Sequence, residues 1–345
     1  MIGKLILEDK TEIKGISFGA EMPMAGEVVF ATGMMGYPES LTDPSYKGQI
    51  LILTYPLIGN YGVPDKKFWE SEKIMVSGLI VSTYNETPSH FQSKQTLAQW
   101  FKKENVPLLE IKDTRFLTQK IREKGTMLGK IVFNKDIPFY DPNKDNLVTQ
   151  VSTRKNNFIN NSGTKTVLLI NCGAKRNIEN CLTKRKVNVL TVPWDFDPFE
   201  NIIQKFDGIL ISNGPGDPKM ATKTIQTIKK ALDKKIPILG ICLGNQILAL
   251  AAGGDTQKIK YGHRSQNQPC KMDDSDRCFI TTQNHGFAVS KIPLGFKPWF
   301  TNANDLTNEG IIHKTLPFMS VQFHPEATPG PKDTEWVFDY FLEKI

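Results

Sequence analysis

Four short apolar runs constrain this chain more than anything else in it. They are Thr166-Val167-Leu168-Leu169-Ile170, Val187-Asn188-Val189-Leu190-Thr191-Val192, Gly208-Ile209-Leu210-Ile211 and Ile236-Pro237-Ile238-Leu239. Runs this short and this continuously apolar read as strands covered on both faces. Segments with helical spacing, such as Ala221 to Lys234, lie between them. Strand and helix in alternation imply right-handed crossovers and an open, mainly parallel α/β sheet. Ligands of such sheets bind beyond the carboxyl ends of the strands, so the chemistry is expected in the loops that follow these runs.

The chain before them reads differently. Residues 1 to 153 mix short strand-like runs with many turn signals. Gln49-Ile50-Leu51-Ile52-Leu53-Thr54-Tyr55 reads as a strand ended by Pro56, and Leu97 to Lys103 and Arg115 to Lys124 as amphipathic helices. Residues 154 to 165 are polar and Asn-rich and include Gly163, which is linker composition. With 345 residues there is length for two cores. The expected organisation is a mixed α/β domain over 1–153, a linker over 154–165 and an open, mainly parallel-sheet domain over 166–345.

Composition narrows the class. No run of eighteen apolar residues occurs, so no membrane span is expected. Met1-Ile2-Gly3-Lys4-Leu5-Ile6-Leu7 enters a strand-like pattern at once and leaves no room for a leader as written. The net charge is +7, but its lysines and arginines are spread along the chain without a basic stripe interleaved with aromatics. Nucleic acid is therefore not the expected partner. The five cysteines are odd in number and lack zinc-finger spacing. That suits reduced thiols in a cytoplasmic setting, with a mitochondrial one also open, and no metal site is expected. Cys172, Cys181, Cys270 and Cys278 read as small buried hydrophobes.

Cys242 is different. The fourth apolar run leads directly into Gly240-Ile241-Cys242-Leu243-Gly244-Asn245-Gln246 and then the apolar stretch Ile247 to Ala252. Strand, Gly-X-Cys-X-Gly turn and helix follow without spacers, which is the thiol form of a nucleophile elbow. The flanking glycines clear the neighbouring strand and helix. The helix N-terminus favours negative charge on the sulfur. Taken alone, the elbow fits a buried core cysteine equally well.

A base tips the balance. His324-Pro325-Glu326 follows the apolar run Met319-Ser320-Val321-Gln322-Phe323. An amide hydrolase needs a thiolate to attack the carbonyl and an imidazolium to protonate the departing ammonia. A carboxylate on the second ring nitrogen fixes the tautomer and stabilises the cation. Glu326, two residues beyond His324, points the same way in an extended segment. His263 and His285 read as lying in polar loops, and His90 and His313 lack a carboxylate two residues away. Two further segments suit a pocket. Ser212-Asn213-Gly214-Pro215-Gly216-Asp217-Pro218 follows the third run, and its glycines let backbone N–H groups approach a ligand; with that of Leu243 they suit an oxyanion hole. Gln283-Asn284-His285-Gly286-Phe287 reads as a loop offering polar groups to an α-amino acid.

Residues 166–345 resemble the class I, triad-type glutamine amidotransferase domain. The first half resembles the N-terminal domain of the carbamoyl-phosphate synthetase small subunit. The matching segments there are Gly26-Glu27-Val28-Val29-Phe30, Gly36-Tyr37, Leu41-Thr42-Asp43-Pro44-Ser45-Tyr46, Leu53-Thr54-Tyr55-Pro56, Ile58-Gly59-Asn60-Tyr61-Gly62 and Asp113-Thr114-Arg115. In the second half Cys172-Gly173-Ala174-Lys175-Arg176-Asn177 and Asn284-His285-Gly286-Phe287 match as well. The resemblance implies that Cys242 forms a γ-glutamyl thioester, that His324 is the acid and base, and that Glu326 orients it. It implies that L-glutamine is held by Ser45, Gly214, Gly216, Leu243, Gln246, Asn284, Gly286 and Phe287. Ammonia would then pass to a carbamoyl-phosphate synthetase large subunit or fused synthetase domain. That partner, rather than this chain, would use ATP and Mg; no Walker-type phosphate loop occurs here. Gly244-Asn245-Gln246 stands where bacterial small subunits usually carry Gly-His-Gln. With the segment Asn302 to Gly310 it resembles the eukaryotic arm of the family. The alternatives are another amidotransferase subunit, a stand-alone γ-glutamyl hydrolase, and a non-catalytic subunit.

Overall fold

A computed structural model describes residues 1–201 and 204–345. The described residues form two compact units, Met1–Asp145 and Asn146–Ile345. The boundary falls before the expected one at 153. Residues 146–153 are tied to the second unit: Asn146 Nδ2 donates to the Met220 carbonyl at 3.0 Å and Ser152 Oγ accepts from the Trp194 N–H at 3.0 Å. Val148 is buried in the same apolar cluster as Leu168 and Ile170. The expected linker is not a free tether either. Asn157–Ile159 adds an antiparallel edge strand to Asn188–Pro193, and Asn161 and Gly163 donate to Asn188 Oδ1.

The first unit is a closed seven-stranded barrel. Around it run Ile2–Leu7, Glu12–Ser17, Leu108–Glu110, Gly78–Tyr84, Gln49–Ile58, Met24–Ala31 and Met127–Val132, which returns to the first strand. The strand that starts at Gln49 continues through Pro56 instead of ending there. A register shift between Leu53 and Leu57 absorbs the proline, which has no N–H to give to the ladder. The helix Leu97–Lys103 opens with a Thr96/Gln99 capping box and buries Leu97, Trp100 and Phe101 against Val29, Leu51, Leu79 and Val81. Helix Thr114–Lys124 is capped by Asp113, whose carboxylate accepts from the Phe116 N–H at 2.9 Å.

The second unit is built on a ten-stranded sheet. Its centre is parallel: Asn188–Pro193, Thr166–Asn171, Gly208–Ile211, Ile238–Ile241 and Phe318–Val321 lie side by side. These are the apolar runs of the sequence, each within two residues of its expected bounds. Val167, Leu168, Leu169, Ile209, Leu210, Ile238 and Leu239 are fully buried or nearly so. Each such side chain contributes about 1.5–3 kcal/mol relative to exposure. Antiparallel strands extend the sheet on one side in the order Asn308–His313, Phe296–Asn302, Asp255–Met272 and Cys278–Lys291. Helices Arg176–Lys184, Thr222–Asp233, Leu243–Ala251 and Trp336–Leu342 complete the α/β unit. Among the described residues no helix is long and apolar enough to cross a membrane.

Candidate active site

The site lies where the parallel strands end. Ile238–Ile241 passes into helix Leu243–Ala251 through a single residue, Cys242, which caps the helix with φ 53° and ψ −100°. A non-glycine residue in this region is strained by about 1–3 kcal/mol and persists only where its surroundings impose it. Here they do. A Cβ at Gly240 would stand 2.4 Å from the Gly244 carbonyl oxygen, and one at Gly244 would stand 2.3 Å from that of Ile211. The Cys242 N–H donates to the Val321 carbonyl at 2.8 Å, which locks the elbow to the adjacent strand. Cys242 is only 2% exposed, and its Sγ lies 3.7 Å from the Asn284 carbonyl oxygen.

That adjacent strand, Phe318–Val321, delivers the base. His324 and Glu326 are each 1% exposed, and His324 Nδ1 lies 2.6 Å from Glu326 Oε1. Glu326 Oε1 also pairs with Lys175 Nζ at 3.1 Å, and Lys175 donates further to the Ala327 carbonyl. Burial pushes the Glu326 carboxyl up, but Lys175 and then His324 outweigh it and hold it at about 2. Burial pulls the His324 imidazole down, but the Glu326 carboxylate and the Cys242 sulfur outweigh this and raise it to about 10. The imidazole is thus held as a cation, with a proton fixed on the nitrogen facing Glu326. His324 Nε2 is buried without a hydrogen-bond partner of its own.

Lys175 lies in the matching segment 172–177, but the resemblance gives it no role, and the structure adds it to this array. It precedes helix Arg176–Lys184 on the far side of the unit's sequence from Glu326. Asn213 positions it by accepting from its backbone N–H at 3.0 Å.

The loop after Gly208–Ile211 packs against the elbow. A Cβ at Gly214 would stand 2.2 Å from the Cys172 carbonyl oxygen and 2.8 Å from the Leu243 side chain. Gly214 thus sits beside the residue that follows Cys242. Gly216 takes φ 82°, in the left-handed region that favours glycine. Gln246, in the first helical turn, donates from Nε2 to the Phe287 carbonyl at 2.8 Å. Asn284 and Phe287 therefore both come to the elbow through their backbone carbonyls, with Gly286 between them. Ser45 belongs to the other unit, in a buried turn at Pro44–Tyr46, where its N–H donates to Asp43 Oδ1 at 2.9 Å.

Two expectations need correction. Gln283–Phe287 is not a loop but the middle of strand Cys278–Lys291, paired with Asp255–Met272. His263 and His285 are likewise not in polar loops; they face each other across these strands and are buried. Their polarity is satisfied internally. His263 Nδ1 lies 2.9 Å from Gln283 Oε1 and its Nε2 lies 2.8 Å from Asp305, while His285 Nδ1 lies 2.8 Å from the Phe287 carbonyl. Their ring nitrogens and the Glu309 carboxylate lie within 4.8 Å of one another.

A strand-end thiol on an elbow, facing a buried His–Glu pair at the carboxyl edge of a parallel sheet, is the layout of a Cys–His–Glu thiol hydrolase on an α/β scaffold. Comparison with known proteins is more specific. Residues 168–344 match the family described as "Glutamine amidotransferase class-I", and residues 5–131 match "Carbamoyl-phosphate synthase small chain, CPSase domain". The chain belongs to the class I glutamine amidotransferase family, and carries the carbamoyl-phosphate synthase small-chain domain ahead of it. The multifunctional protein CAD of Squalus acanthias is 49% identical over 355 residues, covering 98% of this chain and 16% of its own length. The multifunctional protein ura1 of Schizosaccharomyces pombe is 44% identical over 386 residues, covering 99% of this chain and 17% of its own. The mitochondrial carbamoyl-phosphate synthase (ammonia) of Homo sapiens is 48% identical over 354 residues, covering 99% and 23%. The chain thus spans between 16 and 23% of the length of these relatives.

Proposed function

We propose that this chain hydrolyses L-glutamine to glutamate and ammonia, and that the ammonia feeds carbamoyl phosphate synthesis on a synthetase subunit or fused synthetase domain. The observation that carries the reading is the strained, buried Cys242 beside a His324–Glu326 pair at 2.6 Å. In this reading the Cys242 thiolate attacks the carboxamide carbon of glutamine, and the carbonyl oxygen takes up negative charge against backbone N–H groups of Leu243 and the Gly214–Gly216 loop. Each such donor is typically worth about 10²–10³-fold in rate. The His324 imidazolium gives its proton to the departing nitrogen, which leaves as ammonia and a γ-glutamyl thioester. Neutral His324 then takes a proton from water as it attacks the thioester, and glutamate departs with the thiolate restored.

Gln246, Asn284, Gly286 and Phe287 would hold the amino-acid end of the substrate. ATP and Mg would be used by the synthetase. The small-chain domain over 5–131 supports a synthetase partner over the other users of class I amidotransferases. Pyrimidine and arginine or urea metabolism are the proposed destinations of the carbamoyl phosphate. The five free thiols suit a cytoplasmic setting.

The test is glutamate release from glutamine by the purified chain and by Cys242→Ala, alone and with a carbamoyl-phosphate synthetase subunit present. The unsubstituted chain is expected to release glutamate, faster with the synthetase, and Cys242→Ala to release none. Unchanged release by Cys242→Ala would sink the nucleophile assignment.

A further inference from the structure

The chain turns sharply just after the His324–Glu326 pair. The Ala327 N–H donates back to the His324 carbonyl at 3.1 Å. Ala327 then takes φ 55° and Thr328 φ 50°, two consecutive non-glycine residues in the left-handed region. A β-branched residue such as Thr328 is an outlier there, because its Cβ crowds the carbonyl oxygen that follows. Strain of this kind persists only where the surroundings over-determine it, and it collects at functional sites. Ala327 is fully buried.

Two elements hold this turn. Thr282, on strand Cys278–Lys291, grips both ends: its carbonyl accepts from the His324 N–H at 2.9 Å, and its hydroxyl donates to the Pro329 carbonyl at 2.9 Å. Asn177, in the first turn of helix Arg176–Lys184, grips the middle. Its Nδ2 donates to the Glu326 carbonyl and, at 2.8 Å, to the Thr328 hydroxyl oxygen. Both hydrogens of one amide nitrogen are thus spent on the two sides of Ala327. The Glu326 carbonyl can only accept, so the Asn177 carboxamide cannot be reversed. Lys175 also reaches the turn, donating to the Ala327 carbonyl. Its ammonium is a point charge on a flexible stem, so it neutralises the Glu326 carboxylate over a range of positions and fixes no single one. The directional grip is that of Asn177 and Thr282.

We infer that Asn177 is a positioning residue: by tying the Glu326 carbonyl to the Thr328 hydroxyl it keeps the left-handed turn at 327–328 closed, and the closed turn holds the Glu326 carboxylate against His324 Nδ1. The inference rests on the glutaminase reading and deepens it. The His324 backbone is anchored to Thr282 through its own N–H, so it stays in place when the turn opens. With the Asn177 donor gone, Ala327 and Thr328 relax toward ordinary backbone angles and draw the Glu326 side chain away from its 2.6 Å contact. The ring then loses the partner that holds its proton and its orientation. Lys175 keeps the carboxylate charged, and Asn177 keeps it aimed.

The experiment compares the purified full chain with Asn177→Leu, which keeps the side chain's shape without its N–H groups, and Asn177→Gln, which keeps the carboxamide. A third variant combines Asn177→Leu with Ala327→Gly, since glycine takes a positive φ without strain. Thr328→Val removes one of the two acceptors and keeps the β-branch, a milder form of the same change. Each is assayed for kcat and KM with glutamine across the neutral to alkaline range, for melting temperature, and for titration of the His324 ring by NMR. Asn177→Leu is expected to lower kcat about tenfold, the effect of about one misaligned buried hydrogen bond, with KM within about threefold. Its imidazolium is expected to lose its proton at lower pH, which moves the alkaline limb of kcat/KM toward neutrality. Thr328→Val shifts the limb the same way and lowers kcat about threefold. Asn177→Gln and the Ala327→Gly double variant recover most of the loss. A lower melting temperature with kcat and the His324 titration unchanged would make Asn177 a helix residue only and overturn the positioning role, as would a double variant that recovers nothing. If Asn177→Leu does not fold, Thr328→Val decides: a His324 titration left in place there overturns the inference. Failure of the glutaminase reading looks different: the unsubstituted chain would release no glutamate, while the His324 titration would still shift in Asn177→Leu.

Discussion

Lys175 Nζ and His324 Nδ1 converge on the same atom, Glu326 Oε1, at 3.1 and 2.6 Å. One buried carboxylate oxygen thus serves two cations, and the carboxylate's charge is balanced before the imidazolium is counted. Lys175→Met leaves Glu326 buried with His324 as its remaining counter-charge. Breaking a buried pair in this way costs about 3–5 kcal/mol. The folded-state carboxyl is depressed to about 2 from its ordinary 4.5. Its stabilisation is therefore complete above about pH 4.5 and is lost as pH falls through about 2. Denaturant unfolding of wild type and Lys175→Met across this range is expected to show the full gap at pH 7 and a closing gap toward pH 3. A constant gap would remove Lys175 from the array.

The alkaline side belongs to His324. Its folded-state value is raised to about 10 from 6.5. The cation's contribution to stability is complete below about pH 6.5 and is lost as pH climbs through about 10. Since the imidazolium is the proposed donor to ammonia, kcat/KM for glutamine is expected to be flat from pH 7 to 9 and to decline toward 10. Glu326→Gln removes the largest influence raising this imidazole, so the declining limb should move toward neutrality. A limb that stays in place in Glu326→Gln would assign it to another group.

At the elbow, sterics make a sharper demand than chemistry. A methyl at Gly244 would meet the Ile211 carbonyl oxygen at 2.3 Å, and backbone there cannot yield without moving the sheet. Gly244→Ala is expected to cost about 1–3 kcal/mol by overpacking and to abolish glutamate release by displacing Cys242. Thermal unfolding together with the glutaminase assay reads both; a variant with wild-type melting and activity would mean that the elbow relaxes freely.

What was legible in the sequence follows from how local each signal is. The strands Thr166–Asn171 and Gly208–Ile211 are legible because covering both faces leaves an unbroken apolar run. Helix Leu97–Lys103 is legible because Leu97, Trp100 and Phe101, at helical spacing, share one face behind a capping Thr96. Cys242, His324 and Glu326 each sit in a compact motif at a strand end. Barrel closure is not local: it depends on Met127–Val132 pairing with Ile2–Leu7, more than a hundred residues away. Lys175, Ser320 and Gln322 stand in segments the sequence singles out, but their side-chain partners Glu326, Asn245 and Gln246 lie far along the chain, so the sequence gives them no role. Gln283–Phe287, the middle of strand Cys278–Lys291, reads as loop for the same reason: Thr281, Gln283, Asn284 and His285 are buried yet polar, so no apolar alternation betrays the strand.

That buried polar layer supplies the last test. Among the described residues, His263, His285 and Glu309 have ligating atoms close enough together to share a metal ion. Hydrogen bonds hold both imidazoles, while Glu309 Oε2 is buried without a partner. His263 lies between Asp305 at 2.8 Å and Glu309 at 3.3 Å, which suits an imidazolium between two carboxylates. Burial pulls the His263 ring down, but Glu309 and Asp305 outweigh it and raise it. Its stabilisation is then complete below about pH 6.5 and is lost above the raised value. Replacing His263 by Asn keeps hydrogen bonding and removes the charge, so the variant should be less stable than wild type at pH 6 and approach it in more alkaline solution. Dialysis against a chelator should leave the melting temperature and the glutaminase rate of the unsubstituted chain unchanged. A fall in either that zinc restores would make the cluster a metal centre.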